Sequence, residues 1–319
     1  MATSGVYTLS HTLNELAAEA FDLLQVGAEG ETLTGDAISR AKMSANLMLK
    51  EWQAQGIHLW TETEGTLFLE VGKSEYNFQT ANVANNWFET TTTAATVADA
   101  LSFSVTSASD IQVNDVIGII QDDNNLFWTT VCAVSGTTVN VVDQIPLATV
   151  SGAFVRNYRV ATSTSPELIP VSRMIRVRRK ESDDYEIPIV FESRAEYFDL
   201  PNKDILGTPI QAYYSRDDLA GETSGTMFLW NSPISSIPVI NFTYERKLQI
   251  LVNANDTVDI PDYAQQAFIY NLAKALIPKF GCSPGRVQFI REEAQILKDD
   301  MLSFDAALYP VRMDMRRYG

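Results

Sequence analysis

An α+β fold is predicted, with N- and C-terminal helices forming one four-helix layer and a β domain between them that carries an inserted small all-β barrel or sandwich. Three observations lead there. Helical periodicity is confined to the two ends, strand alternation fills the middle, and one all-β stretch has polar, turn-rich borders at both ends.

The first helix is expected from about Thr8 to Val26, where Leu9, Leu13, Leu16, Ala20 and Leu24 make one stripe with Ala17 and Phe21 beside it. After the loop "GAEGETLTG", Ile38, Ala41, Ala45, Met48 and Trp52 repeat at helical spacing, Asp36 is placed to cap, and Gly56 to stop. An antiparallel helical hairpin is the simplest arrangement. The period then changes. "TLFLEVGKSEYNF" alternates as a hairpin, with Leu67, Leu69 and Val71 on one face and Tyr76 and Phe78 after the turn.

From about Glu89 to Arg159, "IQVNDVIGIIQDDNNLFWTTVCAVSGTTVNVVDQIP" gives three or four short strands parted by "DDNN" and "SGTT" turns, the spacing of a small barrel or sandwich. Its borders, "NNWFETT" and "VRNYRVATSTSPELIP", are polar, as the ends of an insertion should be. Strand patterning resumes in "MIRVRRKESDDYEIPIVFESRAEYFDLP", "GTPIQAYYSRDD" and "GTMFLWNSPISSIPVINFTYERKLQILV".

At "NDTVDIPDYAQQAFIYNLAKALIPKFG" the chain turns back to helix. Asp262 after Pro261 suits an N-cap, Ala264, Phe268, Leu272, Ala275 and Leu276 set the stripe, and Gly281 sits where a helix stops. A last helix follows, with Ser283 as cap, Pro284 at its first position, and Val287, Ile290, Ala294, Leu297 and Met301 as its apolar stripe. The expected organisation is therefore residues 1–60 as a helical hairpin, 61–88 and 160–258 as the β domain, and 89–159 as the insert. Residues 259–306 complete the helical layer and 307–319 form a docking tail.

Composition narrows the classes. The chain has 319 residues, is 45% hydrophobic, and carries a net charge of -16, which argues against broad binding to nucleic acid or anionic membrane. The N-terminus lacks a basic region and an apolar core, so no signal peptide is expected, and no apolar run is long enough to span a bilayer. An intracellular product is expected, with Cys132 and Cys282 as buried thiols too few for a disulfide framework.

Candidate chemistry is sparse. The two histidines, His11 and His58, come without a Gly-x-Ser-x-Gly elbow. Acid pairs occur at Asp122–Asp123, Asp183–Asp184, Asp217–Asp218 and Asp299–Asp300, three in expected turns and one on a helix. Such pairs hydrolyse glycosides only when they face each other across a cleft. "DDNNLFW" and "NANDTVD" have oxygen ligands but not the glycine and closing Glu of an EF-hand. "GAEGET" lacks the strand and the Gly-Lys-Ser/Thr of a phosphate loop. No enzyme, metal or cofactor is expected.

Charge patterning says more. Arg173, Arg176, Arg178, Arg179 and Lys180 form the only dense basic run. As a strand it sends Met174, Arg176, Arg178 and Lys180 to one face and Ile175 and Val177 to the other. The favoured reading is a solvated strand whose cations meet the following acids, and the sharper one is an inter-subunit charge patch. In the tail, Arg312, Arg316 and Arg317 interleave with Met313, Met315 and Tyr318, a composition suited to docking on a partner.

The segments "ANLMLKEWQAQGIHLW", "FESRAEYFDLPNKDILGTP" and "NDTVDIPDYAQQAFIYNLAKALIPKFG" carry a resemblance. The chain resembles the head-to-tail adaptor family of short-tailed bacteriophages, also called tail tubular protein A or packaged-DNA-stabilisation proteins. The match covers the chain ends and the second β region, not the insert. It implies a ring, typically of twelve copies, under the portal protein and above the tail nozzle. Helices at about 9–26, 36–55, 262–280 and 284–304 would surround the channel through which double-stranded DNA passes without specific binding. The β domains would face the nozzle and the fibres or spikes, the tail would dock on the portal, and the product would reside in the virion after synthesis in the host bacterial cytoplasm. Two readings from other classes stand beside it. One is a tail glycosidase acting through a carboxylate pair such as Asp183 and Asp184; the other is a fibre-like glycan binder presenting Phe127 and Trp128.

Overall fold

A computed structural model describes residues 9–25, 33–56, 61–159, 170–182, 185–216 and 225–305. Helices α1 (Leu13–Leu24) and α2 (Gly35–Ala54) come first, then strands β1 (Glu62–Phe68), β2 (Glu75–Asn77) and β3 (Val83–Ala84). The expected insert holds β4 (Trp87–Thr91), β5 (Ala100–Ser104), β6 (Val116–Ile120), β7 (Leu126–Ser135), β8 (Thr138–Ile145) and β9 (Phe154–Tyr158). There follow β10 (Val171–Lys180), β11 (Glu186–Pro188), β12 (Val190–Phe191), α3 (Arg194–Asp199), β13 (Leu206–Gly207), β14 (Gln211–Ser215), β15 (Thr226–Trp230), β16 (Ser232–Pro233) and β17 (Val239–Arg246). Helices α4 (Gln265–Phe280) and α5 (Pro284–Asp305) close the described chain. The fold is mixed α+β, and none of its sheets closes into a barrel.

Two compact units emerge, one of residues 1–61 with 248–319 and one of residues 62–247. In the first, α4 packs against each of α1, α2 and α5. One core gathers Leu13 and Phe21 from α1, Leu49 and Trp52 from α2, Phe268, Leu272 and Leu276 from α4, and Ile290 from α5. Trp52 meets Phe268 edge-on at 6.5 Å, and Phe21 meets Phe280 at 4.9 Å. The buried Asn271 amide donates to Ala267 O at 2.9 Å and to Ala294 O at 3.0 Å, fastening α4 to α5.

Helix starts differ from expectation for local reasons. Thr12 and Glu15 form a capping box that starts α1 at Leu13, so Leu9 lies before the helix and is 53% exposed. Thr34, not Asp36, caps α2. Asp262 does not cap a helix. Its carboxylate accepts the Leu9 amide at 2.9 Å, residues Asp262–Ala264 make a 3-10 turn, and α4 begins at Gln265. Gly281, at φ 79, ends α4, and Pro284 opens α5.

Residues 248–258, expected with the β domain, lie in the helical unit. Among the described residues no strand pairs with 248–252, and its backbone is held by a ladder of α2 side chains one turn apart. Lys42 Nζ donates to Val252 O at 2.7 Å, and Lys50 Nζ to Leu248 O at 2.7 Å. Between them Asn46 bonds Leu251 reciprocally, Nδ2 to the carbonyl at 3.0 Å and Oδ1 from the amide at 2.9 Å. The Asp256 carboxylate then accepts the Val252 and Asn253 amides, each at 2.7 Å.

In the second unit, a five-stranded sheet (β11-β10-β17-β1-β3) faces a four-stranded one (β12-β14-β15-β2). Leu67, Leu69, Tyr76, Val177, Tyr214, Met227, Leu229 and Phe242 fill the space between them. The hairpin expected over 66–78 is not formed: β1 pairs with β17 and β3, while β2 pairs with β15. The turn carries the chain from one sheet to the other. It is pinned by the Tyr76 hydroxyl, which accepts the Glu70 amide at 3.0 Å and donates to the Glu70 carbonyl at 3.2 Å. Burial pushes that phenol's pKa up, so it stays a donor.

The insert is a six-stranded antiparallel sheet, β4-β9-β6-β7-β8-β5, in which residues 111–146, expected to give three or four strands, supply three, β6, β7 and β8. Its end strands approach at the isolated Thr92–Val105 bridge, and the sheet stays open. Two additional short strands, β13 and β16, pair in parallel. "SRAEYF", expected as strand, forms α3, because Ser193 and Glu196 make a second capping box.

Two outcomes follow. Asn46→Ala leaves the Leu251 amide and carbonyl unpartnered, and the expected loss is about 2 kcal/mol, read by urea unfolding together with lost exchange protection at the Leu251 amide. The Val252 and Asn253 amides, Asn253 foremost, hold the Asp256 carboxyl below its ordinary 3.8. A depressed folded pKa contributes stability above the ordinary value, and that contribution disappears as pH falls through the folded one. Amide protection at 252–253 should therefore survive at pH 4 and collapse in the acid range where Asp256 titrates by NMR. In Asp256→Asn that collapse should be absent.

Candidate functional site

Of the residues nominated for chemistry, those that the structure describes are engaged in local structure or exposed on a helix. His11 Nδ1 lies 3.5 Å from Glu15 Oε2, beside the α1 cap, and His58 lies outside the described residues. Asp123 accepts the Asn125 amide at 3.0 Å and its side chain at 2.8 Å, which keeps its carboxyl below the usual range, as an Asx turn does. Asp299 and Asp300 are exposed on α5, and Asp299 accepts the Gln295 side chain at 2.9 Å. The pairs at 183–184 and 217–218 lie outside the described residues. Among the described residues no group of three or more His, Cys, Asp or Glu is placed to hold a metal ion. Cys132 is exposed rather than buried, since it alternates with the buried Val131 on β7, and Cys282 is half-buried.

From Arg176 to Lys180 the basic run alternates as expected, with Val177 inward between Arg176 and Arg178, and the departure is at Met174 and Ile175. Register shifts at Val171/Arg173 and Met174/Arg176 put Met174, Val177 and Arg179 inward, leaving Ile175 half-buried. Most of its cations are spent within the unit. Arg173 lies 3.7 Å from Glu245, and Arg178 is 2.7 Å from Glu64 and 3.2 Å from Glu186. Arg179, 7% exposed, binds Glu181 and donates to Pro209 O at 2.6 Å. Lys180 Nζ sits 5.6 Å from the centre of the Trp87 ring. Arg176 is exposed. The tail residues Arg312, Met313, Met315, Arg316, Arg317 and Tyr318 lie outside the described residues.

The insert aromatics are likewise committed. Phe127 packs against the insert's own core. Trp128 lies in a separate core with Phe68, Ala84, Tyr158 and Val239, where insert and sandwich meet. Its ring is 5.0 Å from Phe68 and 5.5 Å from Tyr158, and it covers Gly118 so closely that a Cβ there would come within 2.8 Å. Arg156 crosses the same joint, 2.7 Å from Glu89, donating to Ser236 O at 2.9 Å and to Ile237 O. Trp128 is therefore not displayed for a glycan.

What the surface does offer is apolar. On the helical unit, Met43 (63%) and Leu47 (62%) stand out from α2, Ile250 (61%) and Val252 (59%) from the adjacent segment, and Phe289 (50%) and Ile296 (53%) from α5. On the β unit, Val190, Phe198, Leu206, Ile210 and Ile234 are exposed around β12, α3 and β13. Phe198 edges a ring cluster with Tyr197, Tyr213 and Phe228. The Ser-x-x-Glu spacing before "YF" is the signal that could have located this helix and its exposed ring. A cleft of about 660 Å³ opens beside α1 and α4, lined by His11, Glu15, Glu19, Asp262, Tyr263 and Gln265. Glu15 there serves the α1 cap and Asp262 the Leu9 amide, and the Gln265 amide donates to Leu9 O at 2.6 Å. No helix among the described residues is long and apolar enough to cross a membrane.

No protein-family model and no curated protein matches the chain. Among solved structures, the Gp54 tailspike of Acinetobacter baumannii bacteriophage AP22, in complex with A. baumannii capsular saccharide, is similar at 24% identity and a TM-score of 0.20. The likeness covers 23% of this chain and 15% of that one. It is too loose to assign a fold or a role.

Arg156→Ala strips the joint of its charge and leaves Glu89 and two carbonyls without their partner. The expected loss is roughly 3 kcal/mol, read by urea unfolding and by faster proteolytic release of the insert. An unchanged unfolding midpoint would mean that the joint is held by its aromatic core alone.

Proposed function

We propose that the chain is a structural head-to-tail adaptor of a bacteriophage virion. In this reading it assembles as a ring, typically of twelve copies in the family it resembles, extends the DNA channel below the portal, and carries the tail nozzle with its fibres or spikes. The carrying observation is that helices from both chain ends share one core, while everything between them folds as a separate β unit. A ring subunit needs that division, with a helical part to line a bore and pack on its neighbours, and a β part to present outward. Helices α1, α2, α4 and α5 would then form one layer around the channel.

Two further features support the reading. The exposed features are apolar side chains on helices and sheet edges, which suit protein contacts. The net charge of -16 suits a wall past which phosphate slides, since Asp and Glu outnumber Lys and Arg 40 to 24.

The test is the mass of the purified protein, alone and mixed with candidate portal rings, beside a variant ending at Ala306. A ring, or addition to the portal at fixed stoichiometry that the truncated variant loses, is the expected result. A chain that stays monomeric with every portal tried would sink the adaptor reading. Portal binding that survives truncation would sink only the docking role of the tail.

A further inference from the structure

The cleft beside α1 and α4 is walled by acidic stretches. Residues 9–25 hold Glu15, Glu19 and Asp22, residues 253–273 hold Asp256, Asp259 and Asp262, and neither stretch contains a Lys or Arg. Glu15, Glu19 and Asp262 line the cleft itself, with Leu9, Tyr263 and Ile269 as its apolar part and His11 as its one basic side chain. Glu15 and Asp262 accept the Thr12 and Leu9 amides, which are neutral and leave both charges in place. Glu19 is exposed and has no bonded partner among the described residues. Gln265 lines the same cleft at 7% exposure. Its Nε2 is spent on Leu9 O, and its Oε1 has no donor. A buried acceptor left so costs free energy until a donor arrives. These groups ask for a ligand that brings N–H donors and positive charge on an apolar body.

A segment of that chemistry starts nearby. Helices α4 and α5 are joined by a short turn and run antiparallel, with Asn271 bonded to Ala294 O. Counting back from Asn271 to Asp262 covers the same length of chain as counting on from Ala294 to Ser303. The last turn of α5, which ends at Asp305, therefore lies level with the Asp262–Gln265 end of the cleft. Helices α1 and α5 both pack on α4. An extended chain covers about 23 Å from Asp305 to Arg312 and about 40 Å to Arg317, against a helix diameter of about 10 Å. Residues 306–319 carry Arg312, Arg316 and Arg317 against the single acid Asp314, interleaved with Met313, Met315 and Tyr318. Residues 1–8, which adjoin the cleft through Leu9, contain no Lys or Arg.

We infer that the occupant of this cleft is the C-terminal segment 306–319 of the same chain. Its guanidinium groups face Glu15, Glu19 and Asp262, and one of them, with five N–H donors to offer, supplies the bond that Gln265 Oε1 lacks. Its Met and Tyr side chains cover Leu9, Tyr263 and Ile269. Charge selects the segment over residues 1–8. The tether selects the chain's own copy over a neighbour's, since a short linker holds the segment at an effective concentration in the millimolar range. The inference goes beyond the adaptor reading and needs neither ring nor portal. It assigns the tail a place in the free protein, from which any portal that binds the tail has to displace it.

Cysteine cross-linking in the full chain tests it. In a Cys132→Ser, Cys282→Ser background, Met315→Cys is combined either with Gln266→Cys, exposed at the cleft, or with Gln55→Cys as control. Lys298, two turns before the end of α5, reaches Gln55, so the control cysteine also lies within the tail's range. On oxidation of dilute protein, Gln266→Cys should link to Met315→Cys within single chains, and faster than Gln55→Cys does, because only a seated tail brings the two sulfurs into bonding geometry. Arg316→Glu with Arg317→Glu should slow that linkage about tenfold, Glu19→Lys added to it should restore the rate, and high salt should slow it. Equal rates at the two positions overturn the proposal, as do a rate indifferent to these charges, linkage only between chains, and no linkage at all. Linkage that appears only after residues 1–8 are removed overturns it too, the cleft then being theirs. The readout uses the protein alone. Its failure leaves the adaptor reading as it was, and a protein that links as expected yet joins no portal loses the adaptor and keeps the cleft.

Discussion

The reciprocal bonds between Asn46 and Leu251 are the hinge on which the architecture turns. A chain that begins and ends in helices, with a β unit of residues 62–247 between them, must bring its second half back to its first. The returning segment 248–252 is extended, and its amides and carbonyls need partners that no strand supplies. Helix α2 meets the need with three side chains on one flank, Lys42, Asn46 and Lys50, each a turn further along. The segment then bends at Asp256, and Asp256 O and Ala254 O accept the amides of Leu13 and Asn14 at 2.9 Å. Within a dozen residues the chain has been fixed to α2 and to α1, and only then does it enter α4. The core of Trp52, Phe268 and Leu272 is a consequence of that return, because burial is non-directional and cannot by itself set register.

A second constraint governs the β unit. Successive residues of β1 serve different cores: Leu67 and Leu69 the sandwich, Phe68 the joint with the insert. Phe68 stacks on Tyr158 at 5.9 Å and meets Trp87 edge-on at 5.3 Å, so one side chain packs aromatics from both ends of the inserted segment. With Arg156 desolvated across the same boundary, separating insert from sandwich would expose aromatic surface and strand a paired guanidinium. The insert is thus a fixed part of the β unit, which bears on function. A module that samples ligands independently keeps its aromatics at the surface, and this one has used Trp128 and Tyr158 to attach itself.

Much of this was legible in the chain. Helical stripes such as Leu13, Leu16, Ala20 and Leu24 predict burial because they answer to a local period. Long-range partners were not legible. The alternation of Leu67, Leu69, Tyr76 and Phe78 is the same whether the strands pair with each other or face each other across a sandwich, and only β15 and β17, far along the chain, decide it. A bulge defeats strict alternation in the same way, which is how Met174 turned inward while Ile175 stayed half-buried. The Asn46 ladder left no local signature, since a polar residue on a helix flank reads as solvated. Of the candidate site residues, the arginine run was expected to meet the acids that follow it; Glu181 does so, whereas Glu64, Glu186 and Glu245 lie further off in sequence.

The distribution of cations ties these observations to the proposed role. Lys42, Lys50 and Lys203 point their ammonium groups at backbone carbonyls, Lys279 donates to Ser44, and Arg156 and Arg179 are buried beside carboxylates. Acids are used differently. Glu15, Glu196 and Asp256 bind backbone amides from exposed positions and stay charged, since those amides hold their carboxyls below the usual range. A polyanion approaching the protein meets a net charge of -16, and exposed acids such as Glu15 and Glu196 contribute to that field. For a protein that grips nucleic acid this arrangement is self-defeating. For one that forms a wall around passing DNA, an excess of acids over cations suits low friction.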